Sequence, residues 1–166
     1  LFEFNFGNKI ALLSGDYLLS KSFNELALLR NSGLNELMSS SLRDLVDADF
    51  IGLHDKQSKP LPSKPLETRT TVEVVDQFGT EPHQTSHILG HPIAEWTLRS
   101  ILSGASLLAK SCRGALMLAH HPNEMQKLGF LFGKNIALAW QAKIDQEPFL
   151  PGSSGTFSLV SAPVMA

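Results

Sequence analysis

The chain has 166 residues, enough for one domain with a substantial core, and its 43% apolar and 18% charged residues mark it as globular and greasy. With 14 basic and 16 acidic residues the formal charge is −2, which argues against the basic face that nucleic-acid binding requires. The single Cys112 excludes an internal disulfide or a multi-cysteine metal site. No uninterrupted apolar run of about 18 residues is present to span a membrane.

In chain order, Phe6 to Arg30 predicts a first helix, with Ile10, Leu13, Tyr17, Leu18, Leu28 and Leu29 at spacings that build an apolar face. Gly15 lies inside it at a cost of about 1 kcal/mol relative to alanine, which points to close approach by another backbone. The turn Asn31-Ser32-Gly33 leads to a second amphipathic helix from Leu34 to about Phe50. From Gly52 to His91 helical periodicity disappears among prolines and polar residues. A mobile loop at about 52–91, functional or disordered, is expected there, with a weak strand pattern at Thr70–Val75.

A third helix is predicted from Pro92 to about His120, with Ile93, Trp96, Ile101, Leu107, Leu108 and Cys112 in its apolar stripe. Gly104, Ala105, Ala109 and Gly114 are small enough for close helix contact. The turn His120–Asn123 opens a fourth helix to about Ile144, along which Met125, Leu128, Phe132, Ile136, Trp140 and Ile144 step by three and four; Pro148 then stops it. Long apolar helices without a strand network predict an all-α helical bundle. The chain begins at Leu1 inside what already reads as structure, so an excerpt of a longer protein is expected.

Gly7-Asn8-Lys9 followed by Gly15-Asp16-Tyr17-Leu18-Leu19 resembles the Gly-Asn-Lys and Gly-Asp-(Tyr/Phe)-Leu-Leu helix of the trans-polyprenyl diphosphate synthases. The resemblance implies an isoprenoid-synthase-type bundle, with residues 1–166 forming part of a single such domain. It also directs attention to the family's diphosphate chemistry, in which two Asp-Asp-x-x-Asp clusters hold Mg²⁺ on an allylic diphosphate. The first cluster would precede Leu1. The second should follow a Phe-Gln pair that here reads Trp140-Gln141. At its positions stand Ile144-Asp145-Gln146-Glu147-Pro148, so Asp145 occupies one expected aspartate while Ile144 and Pro148 replace the others.

Asp145 and Glu147 are thus the residues of a degenerate metal motif, two positions apart and off a common helical face. The family's Lys-Thr pair, which grips diphosphate oxygens, has become Ser103-Gly104. Ser103 retains one neutral donor, Gln141 matches a position near the diphosphate, and Lys110 lies on a different line of the helix. No catalytic residue is assigned. The resemblance therefore implies a non-catalytic, regulatory subunit of a heteromeric polyprenyl diphosphate synthase that makes the ubiquinone side chain in mitochondria. Its partner would be the catalytic subunit, which would carry the Mg²⁺; no cofactor is expected in this chain.

Two rivals stay open on sequence grounds: an active trans-prenyltransferase using Asp145 and Glu147, and a helical interaction module with no isoprenoid connection. His83, His87 and His91 fall at i, i+4 and i+8, but Gly90 and Pro92 interrupt any helix that would align them on a metal, and a polar loop is the simpler expectation.

Overall fold

A computed structural model describes residues 7–66, 74, 78–153 and 155–165. The described residues contain helices and no β-strand beyond one isolated bridge between His54 and Pro60, in keeping with the all-α bundle. By contacts the chain forms two compact units, residues 1–36 and 37–166.

The first unit is dominated by α1, Asn8–Leu28. Gly7 precedes it at φ 80°, where a glycine carries no Cβ penalty. On its surface Lys21 and Glu25 pair at 3.2 Å, one helical turn apart and exposed, a contact worth a few tenths of a kcal/mol. The expected single apolar face is not segregated. Leu12 and Leu19 lie off the line of Ile10, Leu13 and Tyr17, all are exposed, and no residue of α1 is buried. Gly15 is not a site of close approach either, since no other described side chain or backbone lies within 4 Å of where its Cβ would sit. Helix α2, Ser32–Asp47, starts where Asn31 Oδ1 accepts the Leu34 amide at 3.0 Å, a cap worth about 1 kcal/mol.

In the second unit α2 runs into a 3₁₀ turn, Ala48–Phe50, and then Gly52 turns the chain at φ 69°. The described residues of the segment at 52–91 form no helix, and some of them pack on the helices. Ile88 joins Ile51, Ala94, Leu98 and Leu102 in the hydrophobic core, with Val74 and Leu89 against it. Asp55 Oδ1 accepts the amides of Gln57 and Lys59, closing a tight turn. The weak strand pattern at Thr70–Val75 lies outside the described residues apart from Val74.

Pro92–Leu118 is one helical run of 27 residues that contains an 18-residue stretch of mean hydropathy 1.2, long and apolar enough by composition to cross a membrane. Its interior positions include Glu95, Arg99 and Lys110, each with partners inside this unit, which suits the core helix of a folded domain. The run divides into α3 (Pro92–Ser100), a π-helical turn (Ile101–Ala105) and α4 (Ser106–Leu118). The π turn adds a residue and so rotates everything after it by about 100°. The buried side is Ala94, Leu98, Leu102, Ala105 and Ala109. Ile93, Leu107 and Leu108, expected in the core stripe, are instead exposed.

Helix α5, Asn123–Gln146, packs on α4. Gly133 makes this possible: a Cβ there would lie 2.7 Å from Leu108 O and 2.9 Å from Ala109 Cα. Only Phe130 and Gly133 of α5 are buried, and the stripe Leu128, Phe132, Ile136 and Trp140 faces outward. After a 3₁₀ turn at Glu147–Phe149, the chain returns to form the short α6, Ala162–Met165, against α3 and α5.

Candidate functional site

Two buried ion-pair clusters organise the second unit, and the sequence reading identified neither. In one, Glu95 and Arg99 stand a turn apart on α3. Arg99 donates to Glu95 Oε1 through Nη2 (2.8 Å) and Nε (3.1 Å), to Ile51 O through Nη1 and to Leu61 O through Nη2. Glu95 also accepts the amides of Ser63 and Gly90. One pair thus fixes three points of the non-helical segment and Ile51 just before it. Burial alone would raise the Glu95 carboxyl, but the Gly90 amide, the Arg99 guanidinium and the Ser63 amide hold it below its ordinary value.

In the other cluster Asp44 on α2 is fully buried. Its Oδ2 accepts from Lys110 Nζ at 2.6 Å and Ser106 Oγ at 2.5 Å, and its Oδ1 from Arg43 at 2.9 Å. Lys110 Nζ also donates to Ser40 Oγ at 2.8 Å. Burial opposes ionisation of Asp44, but its three donors outweigh that and keep it below its usual value. Arg43 continues outward to the carbonyls of Thr80 and Glu81, and Arg113 donates to Phe78 O while lying 3.8 Å over that ring. Lys110 is committed to this cluster and has no reach toward the Ser103 position.

The residues singled out by sequence meet, in part, at a cavity of about 240 Å³. Trp96, Arg99 and Ser103 from the α3–π run, Gln141 and Asp145 from α5, His54 and Pro60 from the non-helical segment, and Ser158 and Ser161 from the returning C-terminal segment line it. Ser103 sits within the π turn, and its hydroxyl donates only weakly, to Ser100 O at 3.4 Å. Glu147 is exposed in the 3₁₀ turn and is not part of this lining.

Asp145 is the most heavily engaged of the predicted positions. Its Oδ2 accepts Trp96 Nε1 at 2.8 Å and the Ala162 amide at 2.8 Å, and its Oδ1 accepts Gln141 Nε2 at 2.7 Å. Mg²⁺ demands a near-octahedral set of oxygens, whereas these oxygens face N–H donors. The neighbouring Lys143 ammonium lies 5.7 Å from the Trp140 ring, an additional positive group on α5. The residues present do not fit a divalent-cation site, and no group of three or more ligating side chains exists among the described residues. His83, His87 and His91 form no such group, and His83 sits partly buried near Asp44.

Beside this cavity an apolar groove of about 750 Å³ runs between the π turn and α5, walled by Ala105, Leu108, Ile136 and Trp140.

Comparisons with known proteins give a consistent kinship. The chain is 37% identical over 98% of its length to the human protein named all trans-polyprenyl-diphosphate synthase PDSS2, of which it covers 35%. It is 31% identical over 90% of its length to a probable mitochondrial hexaprenyl pyrophosphate synthase of Yarrowia lipolytica, covering 28% of that protein. To the mitochondrial hexaprenyl pyrophosphate synthase of Saccharomyces cerevisiae it is 29% identical over 87% of its length, covering 33%. The chain therefore spans about a third of the length of the curated relatives it matches. No family model and no solved structure matches it.

Proposed function

From the premise that this chain belongs to the trans-polyprenyl diphosphate synthase family, we propose that it is part of a non-catalytic, regulatory subunit of a heteromeric synthase of the decaprenyl type. In this reading the catalytic partner carries the Mg²⁺-binding aspartates and makes the side chain of ubiquinone, in mitochondria. The single observation that carries the reading is the condition of Asp145: both carboxylate oxygens are taken by nitrogen donors within the chain.

The rest of the wall supports it. Ser103 and Gly104 stand where the family has Lys-Thr, so no ammonium faces the cavity from that turn. Arg99, the guanidinium on the wall, is neutralised by Glu95 and spent on backbone carbonyls. A doubly charged diphosphate needs charge-assisted donors with spare capacity, and these groups have little left. Ser103 and Gln141 in this reading are remnants of the substrate wall, while Asp145 and Glu147 are remnants of the metal motif. The exposed apolar residues of α1, Leu12, Leu13, Tyr17 and Leu18 among them, support association, since a cluster of exposed large apolar side chains marks a surface that is covered in the working protein. The mitochondrial names of the fungal relatives support the location.

The test is reconstitution. The full-length protein alone should turn over no allylic diphosphate with isopentenyl diphosphate, while co-expression with the catalytic subunit should yield long-chain product. Elongation by the purified protein alone would instead identify an active prenyltransferase.

A further inference from the structure

The bonds to Asp145 come from three separate elements. Trp96 belongs to α3, Gln141 to α5 itself, and the Ala162 amide opens α6. Asp145 is therefore the point at which the returning C-terminal segment is tied to two long helices. The segment is seated: Ser161 and Met165 are buried at 4% and 8% exposure, and Ser161 Oγ donates to Ser158 O at 2.7 Å. The same segment supplies Ser158 and Ser161 to the cavity wall.

We propose that Asp145 is a structural clasp that pins residues 158–165 across α3 and α5 and so completes the cavity wall from the C-terminal side. An acceptor carboxylate suits this task better than any neutral side chain of its size. It can satisfy an indole N–H, an amide side chain and a backbone N–H at once, and hydrogen bonds to a charged acceptor are about twice as strong as neutral ones. The clasp gives this aspartate a role that needs no metal. It stands on its own bonds and would hold whether or not the protein elongates prenyl chains, because strap mobility and catalysis are read by different assays.

Hydrogen exchange on the full-length protein tests it. Asp145→Ala should accelerate exchange of the Ala162, Val164 and Met165 amides by about ten-fold or more, as expected for losing bonds to a charged group, while the amides of α4 keep their protection. Trp96→Phe, which leaves the carboxylate in place, should give a smaller acceleration in the same amides. Asp145→Asn retains one acceptor oxygen and should fall between wild type and Asp145→Ala. A second readout is the Trp96 indole N–H in a ¹⁵N-tryptophan-labelled sample, identified by its disappearance in Trp96→Phe. It should be slow to exchange and unmoved by millimolar Mg²⁺. Unchanged strap exchange in a folded Asp145→Ala protein, or displacement of the indole signal by Mg²⁺, would overturn the clasp.

Discussion

Lys110→Met removes the ammonium from the Asp44 cluster while nearly preserving side-chain length. Asp44 then loses the Nζ contact at 2.6 Å and keeps Ser106 Oγ at 2.5 Å and Arg43 at 2.9 Å. Its own side chain has 0% exposure, and that of Lys110 1%, so water cannot replace the missing partner. Breaking a buried pair by deleting one member costs about 3–5 kcal/mol, because a charge is left without compensation. Arg43 remains as a counter-charge, though its side chain is 35% exposed, which places the expectation at the lower end, about 3 kcal/mol. Urea denaturation would read this as a drop in midpoint with an unchanged slope. The double variant Asp44→Asn with Lys110→Met strands no charge and should be more stable than Lys110→Met alone. A loss below about 1 kcal/mol, or a double variant no better than the single, would refute the view that the pair is a fully desolvated lock.

Other outcomes follow from the same geometry. Asp44 and Glu95 have folded pKa values below their ordinary 3.8 and 4.5. The unfolded chain therefore takes up protons first on acidification, and the stability these groups give above those values should drain away as pH falls through the lower folded ones; urea midpoints between pH 6 and 3 check it. Burial, helped by Lys110 and Arg43 and opposed by Asp44, pulls the His83 imidazole below its ordinary 6.5. Stability should then rise with pH across the window beneath 6.5, and His83→Gln should flatten that part of the profile. Gly90 holds φ 89°, and a Cβ there would lie 2.7 Å from Lys64 O. Gly90→Ala should cost more than about 1 kcal/mol and loosen the contact of the residue-90 amide with Glu95, detectable as faster exchange of that amide than in the wild-type protein.

Asp145→Ala in the co-expressed complex offers a functional check on the regulatory reading. If this subunit contributes structure rather than metal ligation, product should decline only in proportion to folded protein, measured by parallel quantification of soluble complex. A complete loss of elongation with normal complex yield would place Asp145 in the chemistry.

Helix positions were legible in the residues themselves. Pro92 at a first turn and Pro148 after the fourth helix are local signals whose meaning does not depend on distant chain. Asn31-Ser32-Gly33, whose residues signal a turn, instead holds a cap at Asn31 with Ser32 and Gly33 already helical. The departures from the family's motifs were legible too, since Ser103-Gly104, Ile144 and Pro148 are visible as residue types. What periodicity could not decide was which side of each helix faces inward. A period of 3.6 groups residues into lines, and the apolar line is normally taken as the buried one. Here Glu95, Arg99 and Lys110 lie inside because each finds its partner on another element, Gly90 and Ser63, Ile51 and Leu61, and Asp44 respectively. The apolar stripe of α5 meanwhile faces out.

The 52–91 segment shows the same division. Its prolines and polar residues declared it non-helical, and its described residues form no helix. That Ile88 completes the core and that two arginine-centred networks hold the backbone carbonyls was fixed only when α2, α3 and α4 came together. Asp145 likewise could be placed by resemblance at one position of a degenerate metal motif, but two of its three hydrogen-bond partners lie 49 residues upstream and 17 downstream. Local propensity is written residue by residue. The pairing of buried charges is decided by which donors and acceptors the folded chain brings within about 3 Å of each other, and only the tertiary structure sets that.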